Sequence, residues 1–460
     1  MYANLYMGKE AIQSEDWRLI ILMRFLTLLI AVFLIFPGNA KALAQHEDHM
    51  ESMPGMQGST APPTDMRSPI GIPESRQGSG TSWLPDSTPM YAVHDQSDKW
   101  SFMYHGAAHM AYDKMNGPRG DTKLMLPNWT MLMARRNVGA RNMWRLSGMI
   151  SLDPITVGGS GYPLLFQTGE TWQGQPLIDH QHPHNFFTEL SATYTHALTP
   201  DSAIYAYLAP VGEPALGPVA YMHRTIGLDD PLAPIGHHWQ DATHITFGVV
   251  TLGYQTRKWQ YEISTFNGRE PGENRYEIER PEFDSLSTRF SYNPNSALAA
   301  QVSYAFLKSP EALHPEENTH RTTASVIYNR PINLRSNFQS TFVWGRNRIS
   351  GINLDSYLIE AQLKNDGGWT PFFRYEHSRK DAQELVLPAS FSPDQAFGLR
   401  QTTLGIVRDI PSKGNLVFGA GGQLIFNSVP DELKGVYGDN PRGWLIFVRV
   451  HPKRHSMTMP

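Results

Sequence analysis

The chain has 460 residues, a formal net charge of −4 at neutral pH and no cysteine. The near-neutral charge excludes the basic surface typical of nucleic-acid-binding proteins, and the lack of cysteine excludes disulfides, thiolate metal ligands and a lipid-modified cysteine. The sequence also lacks a nucleophile elbow, a phosphate-binding loop, a zinc-peptidase helix motif and a dinucleotide fingerprint. We therefore expect a protein that is not an enzyme.

Residues 1–44 have the features of a secretory signal peptide. Arg24 precedes an apolar run from Phe25 to Phe36, and the small residues Ala-Leu-Ala at 42–44 follow as a cleavage site. The apolar run is too short for a membrane-spanning helix, which needs about 20 residues. Because residues 1–22 add nothing to this signal, we expect translation to start after them.

The next segment, residues 45–90, is predicted to be a disordered leader. It is rich in Pro, Gly and Ser and has too few large apolar residues to form a core. Its thioether and imidazole groups suit Cu(I), and the candidate ligands are His46, His49, Met50, Met53 and Met56. The alternative is a flexible tail of accidental composition.

From residue 91 to 451 the sequence predicts a transmembrane β-barrel. Short alternating segments recur between Gly, Pro, Asn and Asp residues, and there is no long apolar stripe of helical period. In Leu298 to Phe306 every second residue is apolar, while Gln301 and Ser303 take the other face. One apolar and one polar face suit a wall between lipid and water. The fold class is therefore all-β, an antiparallel up-and-down barrel of roughly 14–16 strands.

Aromatic residues recur on the predicted outward faces, as at Tyr194, Tyr254, Trp344 and Trp369. Such residues form the girdles of outer-membrane barrels at both interfaces. We expect export to the outer membrane of a Gram-negative bacterium, with membrane lipid and the barrel-assembly machinery as partners. The alternative is a large soluble β-protein, and residues 452–460 are predicted to be a tail.

The Met/His-rich leader followed by a barrel resembles the copper-resistance outer-membrane protein B family. The resemblance rests on the order of these two parts and on about twenty residues, His46 to Met66. It implies copper tolerance by binding or export at the outer membrane, with periplasmic copper-handling proteins as partners. The barrel part resembles an uncharacterised group of Gram-negative outer-membrane proteins, which implies no activity.

A second set of candidate ligands lies on the predicted strand Trp100 to Met110. Met103, His105 and His109 share one face, and aromatic residues share the other. If the aromatic residues face lipid, these three donors face the lumen and are candidate metal ligands.

A third set lies in residues 173–244, a stretch dense in Pro and Gly that is predicted to fold into the barrel as an inner loop. His180, His182 and His184 occupy alternate positions there. On an extended backbone they converge on one side, and with Asp179 they resemble ligand sets of Cu(II) and Zn(II).

The same loop contains the adjacent pair His237 and His238. On an extended chain the two rings point to opposite sides, so at most one is expected to join a common site. His238 and His244 can face the same way across the start of a strand, and both are candidate ligands. The alternative for all loop histidines is hydrogen bonding or stacking.

Methionine and histidine are concentrated in the first half of the chain. Thirteen of nineteen methionines lie between Met50 and Met149, and eleven of eighteen histidines lie between His94 and His244. We therefore predict a barrel that binds copper through Met and His residues and supports metal tolerance or efflux. The leader would capture the ion and the inner loop would relay it.

The alternative function is a general diffusion porin for small polar or organic solutes, in which the histidines are structural. Its selectivity would follow charged residues such as Arg374, Glu376 and Arg408 rather than histidine. In neither case is a metal required for folding.

Overall fold

The computed structural model describes residues 67–97 and 99–454. The predicted signal peptide and the leader ligands lie outside the described residues; these ligands are His46, His49, Met50, Met53 and Met56. No helix in the described part of the chain is long and apolar enough to cross a membrane.

The described residues form 22 strands and several short helices. The strands are β1 (Val93–Ser97), β2 (Trp100–Met115), β3 (Thr122–Met125), β4 (Asn128–Val138), β5 (Asn142–Ile150), β6 (Tyr162–Pro163), β7 (Glu170–Trp172), β8 (Gln175–Leu177), β9 (His180–Gln181), β10 (Phe187–Thr199), β11 (Ser202–Gly212), β12 (Thr246–Thr256), β13 (Trp259–Phe266), β14 (Ser285–Asn295), β15 (Leu298–Leu307), β16 (Thr319–Pro331), β17 (Asn337–Ile349), β18 (Ile352–Lys364), β19 (Trp369–Asp381), β20 (Ala396–Ile410), β21 (Leu416–Ser428) and β22 (Arg442–Pro452). The helices are the α-helical turns Asp153–Thr156, His237–Gln240 and Lys434–Tyr437 and the 3-10 turns Glu74–Arg76, Tyr221–His223, Thr225–Leu228, Ala242–His244 and Asp431–Leu433.

Sixteen strands close into an antiparallel barrel. They are β2, β4, β5 and β10 to β22, and the barrel closes where β22 pairs with β2, with Ala108 opposite Val450. β1 and β3 are short additions that pair with the two halves of β2. The prediction of an all-β, up-and-down antiparallel barrel of roughly 14–16 strands is confirmed.

The strands present an apolar outer face. In β15, Val302 and Tyr304 are exposed, whereas Ser303 and Ala305 between them are buried. Similar exposed apolar side chains lie on the other strands, and Leu252 is 63% exposed. Because water would disfavour so much exposed apolar surface, this face suits contact with lipid hydrocarbon.

The two ends of the barrel differ in the length of their connections. At one end, which we call the short-turn end, single pairs of residues connect strands, as at 200–201, 257–258 and 296–297. At the other, the long-loop end, residues 151–186 and 213–245 connect barrel strands. In outer-membrane barrels short turns face the periplasm and long loops face the exterior.

The predicted inner loop 173–244 is not one segment, which corrects its boundaries. Its middle forms the barrel strands β10 and β11, and Ile204 and Leu208 lie exposed on the outer face of β11. Two inner loops result, loop A (residues 151–186) and loop B (residues 213–245). The surrounding Pro, Gly and His residues obscured an alternating hairpin that lipid contact stabilises.

Loop B lies inside the barrel. Arg224 donates to Glu360 of β18 at 2.6 Å. Arg374 of β19 is 3.0 Å from Asp230, and Arg449 of β22 is 2.7 Å from Asp229. Because these strand residues alternate with outward-facing ones, the loop that contacts them occupies the lumen.

Residues 67–92, here called the N-terminal plug, also enter the lumen. Trp83 is buried, the Thr81 carbonyl accepts a hydrogen bond from Gln260 at 2.9 Å, and Arg289 donates to the Thr81 hydroxyl at 2.9 Å. This corrects the prediction that the leader is disordered as far as residue 90. The segment has too few apolar residues for a core of its own, but the barrel wall supplies its partners.

Candidate metal centre in the lumen

Five buried or nearly buried imidazoles meet where loops A and B touch. We call His182, His184, His237, His238 and His244 the histidine cluster. The ring centres are 5.0 Å apart for His237 and His244, and 5.3 Å apart for His237 and His238. The distance is 5.5 Å between His184 and His244 and 5.9 Å between His182 and His238. The cluster therefore joins histidines from two separate loops.

Helical geometry brings the loop B histidines together. His237 begins the short helix His237–Gln240, and its Nδ1 is 2.6 Å from Oδ1 of Asp241. His244 ends the next turn, and its Nδ1 is 2.7 Å from the Asp241 carbonyl. Because this segment is not extended, His237 and His238 both join the cluster. The expectation that at most one would do so is wrong, as is the predicted strand start between His238 and His244.

Loop A holds its two histidines through carboxylates. Nδ1 of His184 is 2.8 Å from Oδ2 of Asp153, and its Nε2 is 3.2 Å from the Tyr221 hydroxyl. Nδ1 of His182 is 3.4 Å from Oε1 of Glu170 and 3.3 Å from the side-chain amide nitrogen of Gln181. A carboxylate at one ring nitrogen fixes the orientation and tautomer of an imidazole, which is the usual outer arrangement of a metal-binding histidine.

The structure separates His180 from the other two alternate histidines. His180 Nε2 is 3.2 Å from Oδ2 of Asp121, and its Nδ1 is 3.1 Å from the Ile178 carbonyl. Strand β9 contains only His180 and Gln181, so the alternation that would align three imidazoles does not continue to His184. The predicted three-histidine set is thus reduced to two members that meet partners from loop B.

The candidates on β2 face the lumen, as predicted, but contact other groups. His105 lies 5.2 Å from the Trp129 ring and 5.8 Å from the His223 ring, measured between centres. His109 Nε2 is 3.0 Å from the Leu228 carbonyl. Met103 packs against the hydrophobic core. These contacts give the three residues packing and hydrogen-bonding roles in the structure.

A buried carboxylate completes the site. Oε1 of Glu270, from the loop between β13 and β14, is 3.0 Å from Nδ1 of His238. Gly169, at φ +100°, allows loop A to approach this ring, because a Cβ there would lie 2.6 Å from His238 Nδ1. Within the described residues, three buried atoms of the site have no hydrogen-bond partner: Nε2 of His238, Nε2 of His244 and Oε2 of Glu270.

Burial sets the charge states of the cluster. It lowers the pKa of His182, and it lowers the pKa of His244 well below its usual value. Burial also lowers the pKa of His237. For His238 burial opposes protonation, but the Glu270 carboxylate outweighs it and raises the pKa. Burial therefore favours the neutral, metal-binding form of His182, His237 and His244, whereas the Glu270 carboxylate favours the protonated form of His238.

The site contains a cavity of about 10 Å³. This is about the volume taken by one water-sized sphere, and the metal-binding groups that line it are Glu170, His182, His184, His244 and Glu270. In the part of the chain that the structure describes, no group of three His, Asp or Glu side chains lies close enough together to hold a metal ion as it stands. However, two imidazoles on one tetrahedral ion, with metal–nitrogen bonds of about 2.1 Å, have ring centres about 5 Å apart. The observed separations of 5.0–5.5 Å between ring centres are close to this value.

Several site residues were missed from the sequence. The spacing of His237 and Asp241, four residues apart, could have indicated a helical pair. Asp153, Glu170 and Glu270 come from distant parts of the chain, and no local pattern connects them with the histidines.

Comparison with known proteins identifies the fold. No protein-family model matches the chain, and no characterised protein matches it in sequence. Among solved structures, Salmonella typhi OmpF in complex with daunomycin has a TM-score of 0.51 and 11% identity, covering 78% of this chain and all of that one. An anion-selective porin from Comamonas acidovorans has a TM-score of 0.46 and 13% identity, covering 77% of this chain and all of that one. The similarity to OmpF shows a porin-type barrel fold.

Proposed function

We propose that this protein is an outer-membrane barrel that binds a transition-metal ion, with copper as the first candidate, at the histidine cluster in its lumen. One observation carries the proposal: five imidazoles from two inner loops cluster together, and three of them, His182, His184 and His244, line a small cavity. Four of them direct Nδ1 at a carboxylate or carbonyl oxygen. Of these four, His238 and His244 have an Nε2 without a hydrogen-bond partner among the described residues, and this nitrogen is the donor atom for a metal. Nε2 of His184 contacts the Tyr221 hydroxyl.

The composition of the cluster favours a divalent ion. Imidazole suits Zn(II), Cu(II) and Ni(II), whereas thioether ligands favour Cu(I). The Glu270 carboxylate lines the same cavity and would balance part of a divalent charge, whereas Glu170, also in the lining, is paired with Arg275 at 2.8 Å. The donor set of the lumen therefore differs from that of the leader, which has three methionines among its candidates.

The barrel would support metal tolerance or efflux by holding ions between its two ends. The N-terminal plug reaches the short-turn end, where the Arg67 carbonyl accepts a hydrogen bond from Arg135 and the Ile70 carbonyl accepts one from Arg257 at 3.1 Å. The leader before residue 67 would bind Cu(I), with periplasmic copper-handling proteins as its partners. Membrane lipid and the barrel-assembly machinery complete the proposed setting.

The second candidate is a diffusion porin, favoured by the strand number. Barrels of 16 strands can enclose an aqueous channel. In this chain, however, the N-terminal plug and loop B occupy the lumen. Arg374 and Glu376, which a porin would use for selectivity, bind loop B: Arg374 donates to the Leu232 carbonyl at 2.8 Å and Glu376 accepts from the Gly236 amide at 3.2 Å. A porin predicts metal-independent conductance through the full-length protein in planar bilayers.

The decisive experiment measures binding of Cu(II) and Zn(II) to the purified full chain in detergent, by competition with a metal indicator. The test variant is His184→Ala/His237→Ala/His244→Ala. The matched control is His196→Ala/His320→Ala/His377→Ala, which removes three imidazoles from outward strand faces.

We expect about one ion per chain in the wild type and in the control, and loss of binding in the test variant. Heat-modifiable migration on a gel shows that each variant has folded as a barrel. Absence of binding in the wild type, or equal binding in the two variants, would overturn the proposal.

A further inference from the structure

We infer that cations reach the histidine cluster from the long-loop end, through an acidic depression in which Glu270 forms the connection to the site. This inference rests on the proposed function and adds to it a route and a direction of access. The ligand class at this entrance is a hydrated divalent cation.

The depression lies at the loop between β13 and β14 and has a volume of about 400 Å³. Its charged lining residues are Glu270, Glu273, Glu277, Glu279, Glu282, Arg269 and Arg280. Five carboxylates face two guanidinium groups, so the local charge is negative. A concave acidic surface raises the local concentration of cations.

Glu270 connects the depression to the metal site. It lines both the depression and the small cavity at the histidine cluster. Its side chain is 11% exposed and Oε1 is 3.0 Å from His238 Nδ1, while Oε2 is buried and has no partner in the described residues. A buried carboxylate oxygen without a donor is costly, and a bound cation would supply the missing partner.

The entrance is built on the same segment that carries the metal site. Glu273 accepts hydrogen bonds from the amides of Gln173 and Gly174 at 2.8 and 2.9 Å. Arg275 donates to Glu170 at 2.8 Å. These contacts fix the β13–β14 loop against loop A, so the depression and the cavity keep one relative position without a ligand.

Further carboxylates increase the negative potential around Glu270. Glu311 and Glu384 repel it electrostatically, whereas His238 and Arg321 attract it, and the Glu384 Oε2 is another buried oxygen without a partner in the described residues. A cation at Glu270 would offset this repulsion. The long-loop end therefore offers carboxylate oxygens in the depression and, at Glu270, a carboxylate that contacts an imidazole nitrogen.

The test compares the rates of metal binding by full-length variants in detergent, with Cu(II) and Zn(II) as probes and stopped-flow detection by an indicator. The variant Glu277→Gln/Glu279→Gln/Glu282→Gln, here called the rim variant, removes three negative charges from the lining of the depression. It keeps Glu270 and Glu273. The control Asp431→Asn/Glu432→Gln/Asp439→Asn removes three charges from another long loop. Each protein is measured at low ionic strength and at about 0.15 M, where charges beyond about 8 Å are screened.

We expect the rim variant to bind the same number of ions with an association rate about tenfold lower at low ionic strength, and this difference to shrink at 0.15 M. The control should match the wild type. Equal association rates for the rim variant and the wild type, with binding intact, would contradict the proposed entrance. They would not contradict the proposed metal site. Absence of binding in the wild type would instead overturn the proposed function itself.

Discussion

His184 Nδ1 lies 2.8 Å from Asp153 Oδ2, although the two residues are 31 positions apart. The other oxygen of Asp153 accepts a hydrogen bond from the Asn128 amide at 2.9 Å, so the barrel wall holds this carboxylate in place. Because a carboxylate only accepts, His184 donates a hydrogen bond from Nδ1, and its Nε2 lies 3.2 Å from the Tyr221 hydroxyl. A residue outside the cluster therefore sets the chemical form of one of its members.

Replacing Asp153 with Asn should weaken metal binding. The amide of Asn can donate to Nδ1, which would move the ring proton to Nε2 and block the donor atom. Outer partners of this kind typically contribute about 10–100-fold in metal affinity, and we expect a loss in that range by competition titration. The control is Asp201→Asn, at an exposed position. Unchanged metal affinity in Asp153→Asn would show that this carboxylate does not support the metal site.

The ion pairs of the lumen should contribute more to stability than those at the surface. Arg289 is fully buried and donates to Glu262 at 2.9 Å. Arg346 makes a similar contact with Asp355, at 2.8 Å, but is 41% exposed. Removing one member of a buried pair leaves the other charge buried without a partner, which lowers the free energy of unfolding by about 3–5 kcal/mol. Surface pairs contribute about 0–1 kcal/mol.

We therefore expect Arg289→Met to lower the free energy of unfolding by several times more than Arg346→Met. Urea unfolding in lipid vesicles, followed by tryptophan fluorescence, measures both values. Equal losses would mean that water reaches the Arg289 pair as freely as the surface pair.

The stability of the protein should fall as pH rises from about 4.5 to about 8, in part because of Glu213. Burial raises the pKa of this carboxyl from 4.5 to about 8, although the Arg289 guanidinium opposes the shift. Between these values the folded protein binds a proton that the unfolded chain has released, so increasing pH favours unfolding. Below 4.5 both states are protonated and this loss is absent.

The variant Glu213→Gln should therefore unfold with a weaker dependence on pH in this window. Urea midpoints at pH 5 and pH 8 provide the measurement. An identical difference between the two midpoints in variant and wild type would contradict a shifted Glu213.

The N-terminal plug should restrict flow through the barrel. Its Arg76 side chain bonds Asp86 at 2.6 Å and covers the Trp83 ring at 4.7 Å, which holds the segment in a compact turn. Deleting residues 68–90 should raise single-channel conductance at least severalfold, because the lumen would open at the short-turn end. Unchanged conductance would place the barrier in loops A and B alone.

The barrel could be predicted from the sequence because alternation is a local property. A strand between lipid and a polar lumen must change polarity at each residue, as Val302, Ser303 and Tyr304 do, and this pattern needs no knowledge of distant residues. The same reasoning failed for residues 67–92. Their side chains have no periodicity, and their order depends on hydrogen bonds from Gln260 and Arg289 across the lumen.

The sequence by itself determined that the chain forms a β-barrel and that its histidines are concentrated in the first half of the chain. Which histidines meet was decided only by the tertiary structure: His180 turns to Asp121, whereas His184 reaches His244 from a different loop. The physical reason is that strand faces follow from local polarity, whereas contacts between loops depend on how a closed barrel confines them. Confinement brings together residues separated by whole strands, and such proximity leaves no trace in residue spacing.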